Sequence, residues 1–214
     1  IYIKLIQEAL VNGDQVLYLL PEIALTTQIV VRLKRIFGEQ VGIYHSKFSD
    51  NERVEVWKSI VEGKYPFVVG VRSSVFLPFK NLGLIIIDEE HETSFKQVDP
   101  APRYHARDVA IMLAHQQKAK VLLGSATPSM ETYYQAKQDK YGLVVLKERF
   151  GAAQLPAMHF IDTKYANRMK LMKGGFSVDL IEVLAENLKQ GKQSLLFQNR
   201  RGYSPYLQCQ DCDW

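Results

Sequence analysis

Cysteine is almost absent. The 214 residues contain two, Cys209 and Cys212, which are too few and too close together for a disulfide scaffold. No apolar run approaches the roughly 20 residues needed to cross a bilayer, so no membrane partner is expected and a cytoplasmic location is the default. No glycine-rich GxxxxGK[ST] phosphate loop occurs. Internal repeats and low-complexity tracts are missing as well. Charge of one sign is not in excess: 27 Lys and Arg face 23 Asp and Glu, a net +4. That balance tolerates a nucleic-acid partner without demanding one. The remainder is ordinary for a globular chain, with 47% hydrophobic and 23% charged residues, a composition that excludes disorder.

Apolar runs bounded by turn signals alternate with amphipathic stretches. Ile1, Leu5, Ile6, Ala9 and Leu10 share a helical face that ends at Asn12-Gly13. Strands are expected at Gln15–Leu20, Val41–Tyr44, Phe67–Gly70, Leu82–Ile87 and Lys120–Leu123. Helices are expected at Ala24–Phe37, from the Ser49-Asp50 cap to Val61, at Arg107–Gln117 and at Ser129–Gln138. Such alternation predicts a parallel sheet with helices on both faces. A break near Arg149–Pro156 separates residues 1–150 from 151–214. Beyond it Lys164–Gly175 reads as an exposed basic loop, Val178–Gln190 as a helix closed by Gly191, and Ser194–Gln198 as a strand. Both ends read as cuts within a longer protein.

The strand Leu84–Ile87 runs straight into Asp88-Glu89-Glu90-His91. In open parallel sheets chemistry sits just beyond the carboxyl ends of the strands. An acid pair there can hold Mg²⁺ and orient a water against a phosphate; the alternative is a solvated turn after a core strand. Three more loops stand at equivalent positions: Pro21-Glu22 through Thr26, Gly70-Val71-Arg72-Ser73, and Gly124-Ser125-Ala126-Thr127. Glycine permits close backbone approach, and Ser, Thr and Arg suit phosphate contacts.

LIIIDEEH, GSATPS and VGVRSS resemble the motor motifs of superfamily 2 helicases of the DEAH type. LLPEIALT, YHSKFSDNERVEVW, PRYHARDVA and FQNRRGYSPYLQCQDCDW narrow the resemblance to the primosomal replication-restart helicase family. The resemblance implies a RecA-like first lobe over residues 1–150, then the start of a second lobe with the beginning of a zinc-binding insertion. It implies an ATP-driven 3′-to-5′ DNA helicase acting at stalled forks and displacement loops. Asp88 would hold the Mg²⁺ of Mg-ATP, Glu89 would activate the attacking water, and His91 would sense the γ-phosphate. Glu90 and Gly124-Ser125-Ala126-Thr127 would couple nucleotide state to DNA grip. Pro21, Glu22, Thr26, Gly70, Arg72 and Ser73 would follow the phosphates of the tracked strand.

Between the acid loop and GSAT, aromatics interleave with cations, a composition suited to base stacking plus phosphate attraction. The alternative is a surface loop whose rings pack inward. The resemblance makes this a loop that senses single-stranded DNA through Phe95, Arg103, Tyr104 and Arg107. The resemblance also makes Cys209 and Cys212 two of the four ligands of a structural zinc, a pair that alone falls short of the four such a site needs. Forked and single-stranded DNA, primosome proteins and single-stranded DNA-binding protein are the implied partners. Without the phosphate-loop lysine, the segment alone is expected to be inactive as an ATPase. Two rival readings stand beside it: another superfamily 2 translocase, on RNA or in restriction, and a non-catalytic DNA-binding module built on a decayed motor lobe.

Overall fold

The computed structural model describes residues 1–45, 48–148, 151 and 155–197. The chain divides into two units, Ile1–Val145 and Leu146–Trp214. In the first, helix α1 (Tyr2–Val11) precedes strand β1 (Gln15–Leu19), followed by α2 (Thr27–Phe37), β2 (Val41–Tyr44), α3 (Asp50–Val61), β3 (Phe67–Gly70) and β4 (Leu82–Asp88). A hairpin of β5 (Lys96–Gln97) and β6 (Tyr104–His105) comes next, then α4 (Ala106–Gln117), β7 (Lys120–Gly124) and α5 (Met130–Lys137). The five longer strands form one sheet in the order β2-β3-β1-β4-β7, every neighbouring pair parallel. This is the RecA-like parallel sheet that the resemblance implies.

The burial of β1, Val16 through Leu19 almost wholly removed from solvent, is what a parallel strand covered on both faces requires. Alternate side chains supply two cores. Leu17, Leu19, Val68, Ile85 and Ile87 pack with Val56 and Ile60 of α3 and Ala110 and Ala114 of α4. Val16, Tyr18, Phe67, Val69 and Ile86 pack with Ile6 and Ala9 of α1 and Leu33 of α2. The period of two along each strand thus places α3 and α4 on one face and α1 and α2 on the other. Ser49 opens α3 with a capping box: its N–H donates to Glu52 Oε2 at 2.7 Å and its Oγ accepts from the Glu52 N–H, satisfying amides that the helix leaves orphaned.

The first unit departs from expectation mainly at its loops. Helix α2 starts at Thr27 rather than Ala24, because Ala24 and Leu25 turn back on the Pro21 carbonyl. The hairpin β5–β6 was not expected, its strands being too short to leave a period in the sequence. In the second unit, Lys164–Gly175 is not a plain loop. Asp162 Oδ1 accepts from the Lys164 and Tyr165 amides and opens α6 (Thr163–Arg168), and β8 (Met172–Lys173) pairs with β9 (Phe176–Ser177). Ser177 caps α7 (Val178–Lys189) through the Leu180 amide. Residues 194–197 of the expected Ser194–Gln198 strand are not in strand conformation. Among the described residues no strand pairs with this segment, and an unpaired strand has nothing to hold it. No helix among the described residues is long and apolar enough to cross a membrane.

Candidate active site

Parallel pairing brings the carboxyl ends of the strands to one edge. Leu19 stands opposite Gly70 on one side and Ile87 on the other, and Asp88 stands opposite Gly124. The four expected loops therefore leave the sheet side by side. Gly70 and Gly124 are needed there for steric reasons that lie within the protein. A Cβ on Gly70 would fall 1.9 Å from Ser74 Oγ, and one on Gly124 would fall 1.8 Å from the Tyr2 hydroxyl.

The acid loop turns sharply. Glu89 adopts a left-handed backbone with φ of +49°, a conformation that costs a non-glycine residue about 1 kcal/mol. Local bonds hold it: the Glu89 N–H donates to Asp88 Oδ1 at 3.2 Å, the Glu92 N–H to the Glu89 carbonyl at 2.8 Å, and the Glu90 N–H to the Gly124 carbonyl at 3.1 Å. The result is a half-exposed Glu89 carboxylate at the edge.

Asp88 is held by two tyrosines that the sequence did not single out. Tyr2 on α1 donates its hydroxyl to Oδ1 and Tyr18 on β1 donates to Oδ2, each at 3.1 Å. The two rings meet edge to face at 5.7 Å. Burial first, and then the charge of Asp88 and the hydrogen bond to it, push both phenols well above the ordinary tyrosine range. They are donors at any ordinary pH. Among the described residues Oδ1 accepts from Tyr2 and the Glu89 amide, whereas Oδ2 accepts from Tyr18. A carboxylate oxygen offers about two lone pairs, so Oδ2 can still accept from a water of hydrated Mg²⁺, the form in which this ion binds single carboxylates. The donor set fits the ion. Among the described residues no group of three or more His, Cys, Asp or Glu gathers into a metal site.

His91 faces the Gly124-Ser125-Ala126-Thr127 loop. Its Nδ1 shares a hydrogen bond with Ser125 Oγ at 2.8 Å and lies 3.7 Å from Glu89 Oε2; its Nε2 stands 3.5 Å from Thr127 Oγ1. Ser125 Oγ also accepts from the Thr127 N–H at 2.9 Å. Ala126 is exposed beside them. Acid loop and serine loop are therefore joined by side chains as well as backbone.

Glu90 points the other way, into the protein, and is 1% exposed. It accepts from the Ser129 N–H at 2.7 Å, Thr132 Oγ1 at 2.9 Å, Arg107 Nη1 at 3.0 Å and Ser129 Oγ at 3.2 Å. Burial raises its pKa, but the Ser129 amide, the Arg107 guanidinium and the Thr132 hydroxyl outweigh it and hold the carboxyl below the usual glutamate range. A buried carboxylate is tolerated only with this degree of bonding.

Three residues expected to meet DNA are turned inward. Phe95 is 1% exposed and belongs to the α3–α4 core; the turn Thr93–Phe95 tucks its ring away, so it offers no stacking face. Arg107 is spent on Glu90, Ser129 and Thr132. Arg72 donates to the carbonyls of Ser94 at 3.3 Å and Lys96 at 3.0 Å, fastening the base of the hairpin. In each case a cation or ring in a polar stretch looks available for a ligand; burial takes up Phe95 and Arg107, and backbone carbonyls take up half-buried Arg72. Tyr104 is half-buried, its ring edge to face with Phe76 at 5.0 Å, and Phe76 is 53% exposed. Arg103 lies exposed in the hairpin loop, with Nε donating to the Val98 carbonyl at 2.9 Å. Pro21 is buried, Glu22 and Thr26 are exposed, and Ser73 is half-buried. Cys209 and Cys212 lie outside the described residues.

A family model described as DEAD/DEAH box helicase matches residues 1–136. Proteins named replication restart protein PriA are similar along the whole chain. The one from Bacillus subtilis is 44% identical, covering 100% of this chain and 26% of its own length. That from Haemophilus influenzae is 44% identical over 100% and 29%, and that from Rickettsia felis 46% identical over 99% and 32%. The chain thus spans about a quarter to a third of these relatives. A crystal structure of the Hef helicase domain from Pyrococcus furiosus is 14% identical over 63% of this chain and 27% of that one, with a TM-score of 0.40.

Proposed function

Because the chain belongs to the DEAD/DEAH box helicase family, we propose that residues 1–150 form the nucleotide-hydrolysing lobe of an ATP-dependent DNA helicase. The family uses a nucleotide and Mg²⁺. The observation that carries the reading is the joined pair of loops: Asp88 and Glu89 at the end of β4, bound through His91 and Ser125 to the loop after β7.

Asp88, aimed by Tyr2 and Tyr18, would hold hydrated Mg²⁺, which when bound neutralises phosphate charge. Glu89 stands exposed at the sheet edge, where it would orient a water and take its proton. His91 would report the state of the phosphates to Ser125 and Thr127, since both ring nitrogens already face that loop. Thr26 and Ser73 would meet the phosphates of a tracked strand, beside exposed Glu22, with buried Pro21 and Gly70 shaping the two loops. Contacts to the backbone alone suit a motor that must ignore sequence. On the hairpin, Arg103 and Tyr104 would meet the strand beside the exposed ring of Phe76, whereas Phe95, Arg72 and Arg107 would act from inside.

The relatives' name supports a role in replication restart; the motif resemblance extends the proposal to a 3′-to-5′ helicase that acts at stalled forks and displacement loops by primosome assembly. Forked DNA, primosome proteins and single-stranded DNA-binding protein would be its partners. Residues 151–214 would begin a second RecA-like lobe, in which Cys209 and Cys212 supply half of a zinc site.

The test is ATP turnover by the full-length protein with and without forked DNA, beside Glu89→Gln. Loss of a general base typically costs 10²–10⁴-fold. DNA-stimulated turnover that collapses by that factor supports the motor and the role of Glu89. Tight DNA binding without any turnover would leave a binding module instead.

A further inference from the structure

Asp88 ends β4 half-buried, and its two oxygens are engaged from two different elements. Tyr2 reaches Oδ1 from α1 and Tyr18 reaches Oδ2 from β1. Packing holds both phenols in place. Tyr18 is 4% exposed and belongs to the core that α1 and α2 cover. Tyr2 packs against the same core with its ring edge to face on that of Tyr18, and its hydroxyl lies where a Cβ on residue 124 would be. Donors fixed behind a metal ligand orient it and tune what it can hold.

The two oxygens are not equally engaged. Oδ1 accepts a second hydrogen bond, from the Glu89 N–H at 3.2 Å. At about two lone pairs per oxygen, Oδ1 is filled and Oδ2 keeps one place. Asp88 is thus a ligand with a single contact left to give. It can accept from one water of a hydrated ion or touch an ion once, but it can clasp an ion with both oxygens only if a donor leaves Oδ1. The Glu89 amide belongs to the left-handed turn of the acid loop, with φ of +49°, and stays while that turn stands. Tyr2 is the donor that decides.

This distinction separates two common divalent ions. Mg²⁺ dehydrates reluctantly, keeps several waters and is satisfied by single carboxylate contacts. Ca²⁺ takes more oxygens and readily takes both from one carboxylate. We infer that Tyr2 is a specificity-determining residue for the metal: by filling Oδ1 it confines Asp88 to one contact through Oδ2 and favours Mg²⁺ over Ca²⁺. Tyr18 positions the same carboxylate without choosing between the ions, because Oδ1 stays filled whether or not Tyr18 bonds to Oδ2. The inference rests on the nucleotide-hydrolysing reading given above. It assigns different parts to two hydrogen bonds of the same 3.1 Å length.

The test uses the full-length protein and the fluorescent nucleotide N-methylanthraniloyl-AMPPNP, whose binding is titrated with Mg²⁺ and, separately, with Ca²⁺. The Ca²⁺-to-Mg²⁺ ratio of half-saturating concentrations is read relative to wild type, which cancels each ion's own affinity for the nucleotide. Wild type should saturate at lower Mg²⁺ than Ca²⁺. Tyr2→Phe should lower the ratio at least fivefold. Tyr18→Phe should weaken binding with either ion and keep the ratio within twofold of wild type. Gly124→Ala displaces the same Tyr2 hydroxyl and should shift the ratio as Tyr2→Phe does; it decides the matter where Tyr2→Phe fails to fold. A ratio unmoved in Tyr2→Phe, or moved equally in Tyr18→Phe, overturns the inference. So does a wild type that prefers Ca²⁺ or binds the nucleotide regardless of either ion. Equal loss of both ions in Tyr2→Phe is the result of a merely structural role and overturns it as well. A wild-type protein that does not bind the nucleotide at all overturns the proposed function itself.

Discussion

Replacing Gly124 by alanine isolates a single contact. The new Cβ would lie 1.8 Å from the Tyr2 hydroxyl, 3.0 Å from its Cζ and 3.6 Å from Asp88 Oδ1. The phenol must move, and its hydrogen bond to Asp88 goes with it. A hydrogen bond to a charged group contributes about 1.5–3 kcal/mol, and overpacking adds about 1–3 kcal/mol; replacing a strand glycine returns about 0.5–1 kcal/mol of backbone entropy. Gly124→Ala should therefore destabilise by about 1.5–5.5 kcal/mol. Tyr2→Phe should cost about 1.5 kcal/mol by itself, from the same bond. In the double variant that bond is lost once, and the alanine methyl meets only Cζ at 3.0 Å, which a shift of a few tenths of an ångström relieves. The double variant should then fall short of the sum by at least about 1.5 kcal/mol, the bond counted twice, and by more as the overpacking is relieved, a coupling that a double-mutant cycle resolves. Equilibrium urea unfolding followed by circular dichroism supplies the four midpoints. Additivity within about 0.5 kcal/mol would refute the claim that Tyr2 is what requires glycine at 124.

The held-down pKa of Glu90 makes stability depend on acid: its contribution is complete above the ordinary glutamate value of about 4.3 and is lost as pH falls through the lower folded value. Unfolding midpoints between pH 5 and pH 3 should show that loss, and Glu90→Gln should flatten it. His105 runs in the same sense, because burial and then Arg107 lower its pKa despite Asp108 and Glu90. The fold disfavours its charged form, so stability should decline as pH drops below the ordinary histidine value of about 6.5, and His105→Gln should remove that part of the slope. Ser49→Ala deletes the α3 capping box and should cost about 1 kcal/mol in the urea midpoint. Gly70→Ala puts a Cβ 1.9 Å from Ser74 Oγ and 2.9 Å from the Tyr44 carbonyl. Since one of those neighbours is backbone, a cost below about 1 kcal/mol would contradict the packing drawn at that corner.

The strands and the loops at their ends were legible because parallel, doubly covered strands must be apolar throughout and must stop abruptly where chemistry begins. Leu84–Ile87 followed by Asp88 shows both. What escaped has physical reasons too. Tyr2 and Tyr18 reach Asp88 across 86 and 70 residues, and no local pattern marks a tyrosine as a carboxylate's donor. Arg72, Phe95 and Arg107 sit in a stretch whose composition suits a ligand surface; which way a side chain turns is decided by packing that composition does not record. The hairpin strands are two residues each, shorter than any period. Asp162 before Thr163 did carry a cap signal for α6, hidden by the basic residues that follow it.

The cross-loop bonds between the β4 and β7 ends have a consequence for hydrogen exchange. The amides of Glu90, Glu92, Thr127 and Ser129 all donate within this bonded knot, so they should exchange only when it opens as a unit. Proteins open in contiguous cooperative pieces, and the pieces differ in free energy. The loop after β1 is tied differently: among the described residues the amides of Ala24, Leu25 and Thr26 donate to carbonyls of Pro21 and Ala24 within the loop itself, and Ile23 is 87% exposed. Its amides should exchange first. A lobe built this way keeps its acid loop stiff and leaves the give to its neighbour on the sheet edge.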